Sequence, residues 1–596
     1  MRVKASDYIA QLLVQHGVRN IFSVVGGGAM HLNDSFGNNK SLKCIYNHHE
    51  QASAMGIESY YRIHNELAVA CVTTGPGGTN AITGVLCAWQ DSIPALIISG
   101  QVRYNTTIES TGLPLRQFGE QEHDIVNTVK NMTKYAVMIK DSKEIKYHIE
   151  KAIYLAIHGR RGPCWVDIPL DIQGAEIETE ELMEFNEPEE KKEIFDREIF
   201  LRMIQKAERP VLLAGYSLRI CGVMDEFLKL ASEMHIPVVA TASSSDLMHV
   251  GHEFYFGTFG VFGGRAGNFI VQNADCLIAL GCRFSFKQIG FNFEAFSPES
   301  TKIAVDIDEA ELKKDTIKLD LSINMDLSDF VPELRRMKLE FSSIDTSWLR
   351  YCKELREIFP NCKEGQKHGK DVNPYYFCEL LQEKLPEDSI TVLGNNCSCV
   401  SALQCGIKKP QQRLWGNVNC GTMGYDLPAA IGAAIASNRR VVCITGDGSI
   451  QMNLQELQTI VYNKLPIKIF VFNNGGYKAI VQTHTNVFGR LTGCTDTTGI
   501  QMPSFERVAY AYDIPYIKCT NNEKLESILD DFLKDDCYGI CELVEDREQL
   551  IDPKLMSKLL NNGLFKTPPI DDLAPFLDDE TYERYSIINK TGREKR

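Results

Sequence analysis

Apolar and polar positions along the chain fall into a repeating pattern. Short apolar runs, closed by glycine or a small polar residue, alternate with segments of helical spacing. In residues 1–180 the runs are IFSVVGGG, LAVACVTTGPGGTN, PALIISGQ and PCWVDIPLDI. Such runs between amphipathic helices predict a parallel, doubly wound sheet. A second set (PVLLAG, PVVATA, CLIALG, KIAVDID) occupies 190–345, and a third (SITVLG, VVCIT, IKIFVF) occupies 370–545. The acidic, lysine-rich ETEELMEFNEPEEKKEIFDRE carries no strand signal and predicts a solvated linker; the polar KEGQKHGKDVNP introduces the third set. Residues 546–596 are rich in proline and acid (Pro568, Pro569, Asp571, Asp572, Asp578, Asp579), which predicts a tail laid on the surface rather than a unit that folds alone. The expected class is α/β with three doubly wound parallel-sheet domains. The first and third blocks are similar in size and strand pattern, which suggests two related domains around a different one.

Length and composition narrow the function. A chain of 596 residues exceeds the roughly 250–300 residues at which single cores stop growing. A net charge of −15 without a basic face disfavours nucleic acid and anionic membranes as partners. The 19 cysteines invite a metal or redox reading, but Cys397, Cys399 and Cys405 lack a second paired cluster or histidines at ligand spacing. Buried thiols in a reducing compartment are the expectation. The start, MRVKASDYIAQLL, reads as an amphipathic helix rather than a secretory or transit segment. No stretch reaches the roughly 18 apolar residues of a membrane helix. A cytoplasmic protein with small-molecule partners is expected.

The most informative stretch is GDGSIQMNLQELQTIVYNKLPIKIFVFNN, Gly446 to Asn474. It reads as strand, helix and strand, with Asp447 at the tip of the first strand and Asn474 at the tip of the second. Parallel strands put both tips on one sheet edge, where open α/β sheets bind ligands. A carboxylate and an amide oxygen are hard ligands suited to Mg²⁺, which also takes phosphate oxygens. Glycines beside Asp447 let backbone N–H groups approach that phosphate. In the first block, Glu50 follows the run CIY and precedes ASAMGIESYYR, at a strand-to-helix junction. Taken alone, a glutamate there is a capping or solvated residue.

A resemblance changes that weighing. GDG followed by NN at this spacing is similar to the signature of thiamine diphosphate enzymes, and HHEQASAM resembles a segment of acetolactate synthases and their relatives. TTGPGGTN (73–80), DSIPALIISGQV (91–102), GPCWVDIPLDIQ (162–173) and GTMGYDLPAAIGAA (421–434) follow in the family's order, so the likeness runs to about residue 545. It implies a pyrimidine-binding domain over 1–180, a central FAD- or nucleotide-type domain over 190–345, a pyrophosphate- and Mg²⁺-binding domain over 370–545, and a tail over 546–596. It implies that Asp447 and Asn474 hold the metal by side chain and Gly476 by its carbonyl, while Gly446, Gly448 and Ser449 touch the diphosphate. Glu50 would be the acid on the cofactor's aminopyrimidine, which favours the tautomer that removes the thiazolium proton. Met423 would be the apolar wedge under the bent cofactor, the Gly421 carbonyl would receive its amino group, and Gln121 would be an active-site glutamine. Val25, Thr74, Gly75, Asn80, Gly394 and Tyr477 complete the implied contacts. Asn395 and Asn396 stand where the family has Gln-His.

The implied activity is decarboxylation of a 2-oxo acid, pyruvate in the family, with transfer of the acyl unit to a carbonyl acceptor. Simple decarboxylation or carbon–carbon lysis on the same scaffold is the alternative. Four exchanges separate the chain from the biosynthetic enzyme. Glu120 replaces an aromatic residue, Thr483 the substrate-selecting tryptophan, Leu170 a lysine and Lys287 an arginine. Glu120 and Thr483 suggest a roomier, more polar pocket and an acceptor such as a keto-sugar nucleotide. In the central block Arg160, Gly215, Gly263, Arg283 and Asp306 are candidate FAD or nucleotide contacts. The family also implies a homodimer or homotetramer with active sites between chains.

Overall fold

The computed structural model describes residues 1–189, 194–338, 346–395, 397–559 and 565–588. Three six-stranded parallel sheets carry the chain. The first runs, edge to edge, Lys43–Tyr46, Asn20–Ser23, Val69–Val72, Ala95–Gln101, Pro163–Pro169 and Tyr135–Met138. Numbered along the chain, its spatial order is 2-1-3-4-6-5. The third sheet has the same order, built from Arg413–Gly416, Ile390–Leu393, Val441–Gly446, Ile467–Asn473, Gly539–Val544 and Tyr516–Cys519. The middle sheet differs: Tyr255–Phe259, Val238–Thr241, Pro210–Ala214, Cys276–Leu280, Thr301–Asp306 and Leu321–Asn324 give 3-2-1-4-5-6. The expected α/β class with three such sheets is what the chain forms, and a shared strand order joins the first and third.

The central strands of each sheet are buried on both faces because helices cover both sides, which is why they read as continuous apolar runs, while edge strands such as Lys43–Tyr46 and Tyr516–Cys519 are partly exposed. The first and third sheets share one core through a helix pair. Glu50–His64 lies against Asp426–Ser437, and a Cβ on Gly432 would sit 2.0 Å from the Gly56 carbonyl oxygen. Only glycine permits that backbone approach. Beside the crossing, Arg62 pairs with Glu58 and, at 2.7 Å, with Asp91, while the Tyr425 hydroxyl donates to Glu58. All four side chains are buried, so the charges are compensated within the network rather than by water.

Several expectations change. The N-terminal helix starts at Ala5, because Arg2–Lys4 is a strand paired antiparallel with Glu176–Glu178. The acidic linker therefore opens with a strand. Its residues are polar because the two-stranded ribbon lies at the surface, so no apolar run announces it. Residues 190–193 of that linker lie outside the described residues. Before the third block, Thr346–Ile358 forms a helix that buries Trp348 in the middle domain's core. The tail does lie on another unit, but not as a solvated strip: Ile570, Leu573, Tyr582 and Tyr585 are buried, and so are Asp571 and Asp572. Arg265 of the middle domain donates to the Leu573 and Pro575 carbonyls. No helix among the described residues is long and apolar enough to cross a membrane.

Candidate active site

In a 2-1-3-4-6-5 sheet the chain reverses direction between strands 1 and 3, and the loops leaving those two strands form a crevice. In the third sheet these are the loop after Leu393 and the loop after Thr445, joined by the ends of the neighbouring strands. They gather Gly394, Asn395, Gly421, Met423, Gly446, Asp447, Gly448, Ser449, Asn474, Gly476 and Tyr477 on one edge. Asn396 lies outside the described residues.

Asp447 is the centre of the group. One carboxylate oxygen, Oδ2, accepts from the backbone N–H groups of Asn474 (3.0 Å), Gly475 (2.7 Å) and Gly476 (3.2 Å). Burial nevertheless pushes its carboxyl up to about 6, because those three bonds do not replace lost hydration. Asp447 makes no salt bridge among the described residues. Asn474 turns its amide nitrogen to Glu545 Oε2 at 2.8 Å, leaving its carbonyl oxygen as the end for a ligand. Glu545 is buried and also takes Lys478 Nζ at 2.8 Å. Arg547 packs against Gly475 at the rim of this group, and the hard-oxygen donor set of Asp447 and Asn474 suits Mg²⁺.

The glycines make the adjoining cradle. A Cβ on Gly446 would meet nothing within 4 Å, so this backbone faces open space. A Cβ on Gly448 would lie 2.5 Å from the Tyr477 ring and 3.5 Å from Met423 Cε, which places both side chains on the same loop. Ser449 donates to Asp426 Oδ2 at 2.6 Å and accepts from the Gly424 N–H at 2.9 Å. Asp426, fully buried, also takes the Thr445 hydroxyl at 2.7 Å. Open glycine backbone beside a cation-type site fits a diphosphate. Asn395 donates to the Gly421 carbonyl, the acceptor the resemblance assigns to the cofactor's amino group.

The first sheet has the equivalent crevice. Val25 is exposed on the loop after Ser23, and Gly28 N–H donates to Thr73 Oγ1 at 3.1 Å, closing that loop on the one that bears Thr74 and Gly75. Glu50 occupies the first turn of Glu50–His64, with His49 capping the helix through Nδ1 to the Gln51 N–H. It is 8% exposed, and Asn80 Nδ2 donates to its Oε2 at 3.0 Å. Gln121 is exposed and left-handed at φ 58°, in a turn rather than at a helix start. Its carbonyl fills the space that a Cβ on Gly75 would need. Thr74, Gly75, Asn80, Gln121 and Glu50 thus share one edge.

Within the chain, Asn47 Nδ2 and the His48 N–H both donate to Glu456, each at 2.9 Å. This ties the strand end before Glu50 to the helix after the Asp447 loop. Glu456, Asp426 and Glu545 are the structural acids the sequence reading missed. Asp426 and Glu456 each open a helix and Glu545 follows the strand Gly539–Val544, positions where a carboxylate is ordinarily a cap or solvated. Lys287 donates to the Val418 and Asn419 carbonyls and so fastens the loop before Gly421 to the middle domain. Glu120 and Thr483 are exposed, and Leu170 is half-buried.

Where the first and middle domains meet, Arg160, Arg283 and Asp306 line one cavity of about 100 Å³. Gly215 lies beneath its floor against the Gly281 carbonyl, whereas Gly263 packs on Phe259 away from it. Both arginines are engaged with Glu311, at 2.9 and 3.0 Å, and Arg160 also with Asp308. Burial would raise the Glu311 carboxyl, but Lys314 and the arginines prevail and hold it down at about 2. The cationic arms of both arginines are thus closed onto carboxylates.

Matches to known families agree with this architecture. The chain matches the N-terminal TPP binding domain of thiamine pyrophosphate enzymes over residues 3–127, their central domain over 198–334 and their C-terminal TPP binding domain over 394–542. It belongs to the thiamine pyrophosphate enzymes. Within them it is acetolactate synthase-like: it is 30% identical over 561 residues to the acetolactate synthase large subunit of Lactococcus lactis, covering 92% of this chain and 93% of that one. It is 29% identical to the acetolactate synthase isozyme 2 large subunit of Escherichia coli, covering 90% and 94%. The acetolactate synthase 1 of Nicotiana tabacum is 28% identical, covering 94% and 84%. The chain is thus a thiamine diphosphate-dependent enzyme of the carboligase type.

Proposed function

We propose that the chain decarboxylates a 2-oxo acid, pyruvate in the first instance, and transfers the acyl unit to a carbonyl acceptor, with Mg²⁺ holding the diphosphate. The observation that carries this reading is the buried Asp447, held by three N–H groups beside Asn474 and Glu545 with no salt bridge of its own among the described residues. Asp447, Asn474 and the Gly476 carbonyl would hold the metal; Gly446, Gly448 and Ser449 would hold the diphosphate. Thiamine diphosphate, when bound, supplies an acidic carbon that adds to the oxo acid and a ring that accepts the electrons released with CO₂. Glu50 would present its carboxyl to the aminopyrimidine ring, and Asn80 fixes the orientation of that carboxyl. Met423 gives the cofactor an apolar support, Gly421 an acceptor carbonyl, and Gln121 a polar group on the substrate side. The Glu50 edge and the Asp447 edge of one active site come from two copies of the chain, in a homodimer or homotetramer.

A second reading concerns the acceptor. Glu120 and Thr483 are polar and exposed at the positions where relatives carry aromatic groups, which favours a polar ketone such as a keto-sugar nucleotide over a second pyruvate. Product analysis separates the cases. Pyruvate alone and pyruvate with a polar ketone are each incubated with the enzyme, thiamine diphosphate and Mg²⁺. More ligated product with the ketone supports the polar acceptor, and equal product in both removes it. CO₂ release with no ligated product in either would establish a simple decarboxylase.

A further inference from the structure

The loop bearing Gly421 and Met423 is fastened to the first domain at both ends. Asn417 and Asn419 donate through Nδ2 to Asp91, at 2.9 and 2.7 Å, and the Tyr425 hydroxyl donates to Glu58. Between these anchors the Thr422 hydroxyl touches two sulfurs. It donates to Cys420 Sγ at 2.9 Å and lies 3.2 Å from Cys87 Sγ. Cys87 is wholly buried on the helix Pro76–Asp91, and Cys420 is half-buried on the loop. One hydroxyl therefore bridges a thiol from each of two domains, and the anchors on either side keep them in register. The hydrogen bond from Cys87 holds the Cys420 thiol below its ordinary value, despite burial, while the same bond and burial push Cys87 up. The nucleophilic member of the pair is the one that solvent reaches.

We propose that Cys420 and Cys87 form an oxidation site for hydroperoxides that joins the cofactor loop to the first domain by a disulfide. The Cys420 thiolate attacks one peroxide oxygen, the O–O bond breaks, and the other oxygen leaves as hydroxide or alkoxide. Cys87 loses its proton and attacks the resulting sulfenic sulfur; the S–O bond breaks, water leaves, and the disulfide forms. Two thiols lose two electrons and one peroxide gains them. The new bond displaces the Thr422 hydroxyl from between the sulfurs and draws the backbone at Gly421 toward the helix Pro76–Asp91. This shifts the Gly421 carbonyl and Met423, a consequence that rests on the cofactor contacts proposed above for those two residues.

The test uses the holoenzyme. It is treated with hydrogen peroxide, alkylated, digested and mapped by mass spectrometry, with activity measured before and after dithiothreitol. The expected result is a peptide pair cross-linked through Cys87 and Cys420, together with loss of most activity that dithiothreitol restores. In Cys87→Ser the cross-link is absent, and dimedone, which traps sulfenic acids, labels Cys420 instead. Oxidation at other cysteines without this cross-link, or no dimedone label on Cys420 in Cys87→Ser, overturns the site. A cross-link that leaves activity intact overturns its effect on the loop. A failure of the cofactor reading would be distinguishable, because the cross-link would still form in an enzyme whose untreated activity does not depend on thiamine diphosphate.

Discussion

The first and third sheets share one strand order and yet present opposite chemistry at the same topological place. In the third, the loop after strand 3 is Gly446-Asp447-Gly448, whose carboxylate sits among backbone N–H groups beside a second buried acid. In the first, the corresponding loop is Thr73-Thr74-Gly75, with no charge; the acid, Glu50, comes instead from the helix after strand 2. On the function proposed above, the third edge would hold a cation and phosphate, and the first would offer a single carboxyl group. A duplicated scaffold can therefore divide one cofactor between its two copies. The topology fixes where a ligand goes, and a few loop residues fix which end of it.

Substitutions that disable one edge and spare the other sharpen this division. The largest effect is expected from Glu50→Gln. Exchange of the thiazolium proton, followed by NMR in deuterium oxide, should slow by about 10²–10⁴-fold, while calorimetry shows the cofactor still bound. Normal exchange would remove Glu50 from the chemistry. At the other edge the order of loss reverses. Glu545→Gln leaves the Asn474 amide without its charged acceptor and should weaken Mg²⁺ affinity by about 10–100-fold, with turnover recovering when Mg²⁺ is raised. Recovery in Glu50→Gln under the same excess Mg²⁺ would contradict the separation of roles.

The smallest effect concerns stability. Asp167 lies under the first sheet's crevice, accepting from Ser99 and, at 3.1 Å, from Gln101, whose own side chain meets Thr74. Burial pushes its carboxyl up to about 7, further than those two bonds pull it down. The folded protein therefore binds this proton more tightly than the unfolded chain does. The contribution is complete below about pH 4 and is lost as pH rises through about 7. Asp167→Asn should flatten that part of the stability profile, measured as thermal midpoint against pH, with little change near neutrality in Mg²⁺ affinity. An unchanged slope between those limits would sink the assignment.

Much of this was legible in the sequence, for physical reasons. Strands covered on both faces leave unbroken apolar runs such as CLIAL, so the three sheets could be read directly. Asp447 and Asn474 were legible because a parallel strand pair must bring both tips to one edge. Glu50 was legible only through its neighbours in a family pattern, since a carboxylate at a helix start has many commoner uses. The Arg2–Lys4 ribbon was hidden because its apolar face is a single residue per strand, Val3 and Ile177, too short to show alternation. The tail misled because its aspartates, which usually mark solvent, are packed with Ile570 and Leu573. Gln121 was marked only by the family pattern, and its positive φ arises from a turn that the residue type does not announce.

The crossing at Gly56 and Gly432 has a practical consequence. Since the Gly56 carbonyl occupies the volume where a methyl at residue 432 would go, the third domain cannot be exchanged alone for that of a relative with alanine there. A chimera would have to import both helices together, and directed evolution of either half begins with that pair already decided.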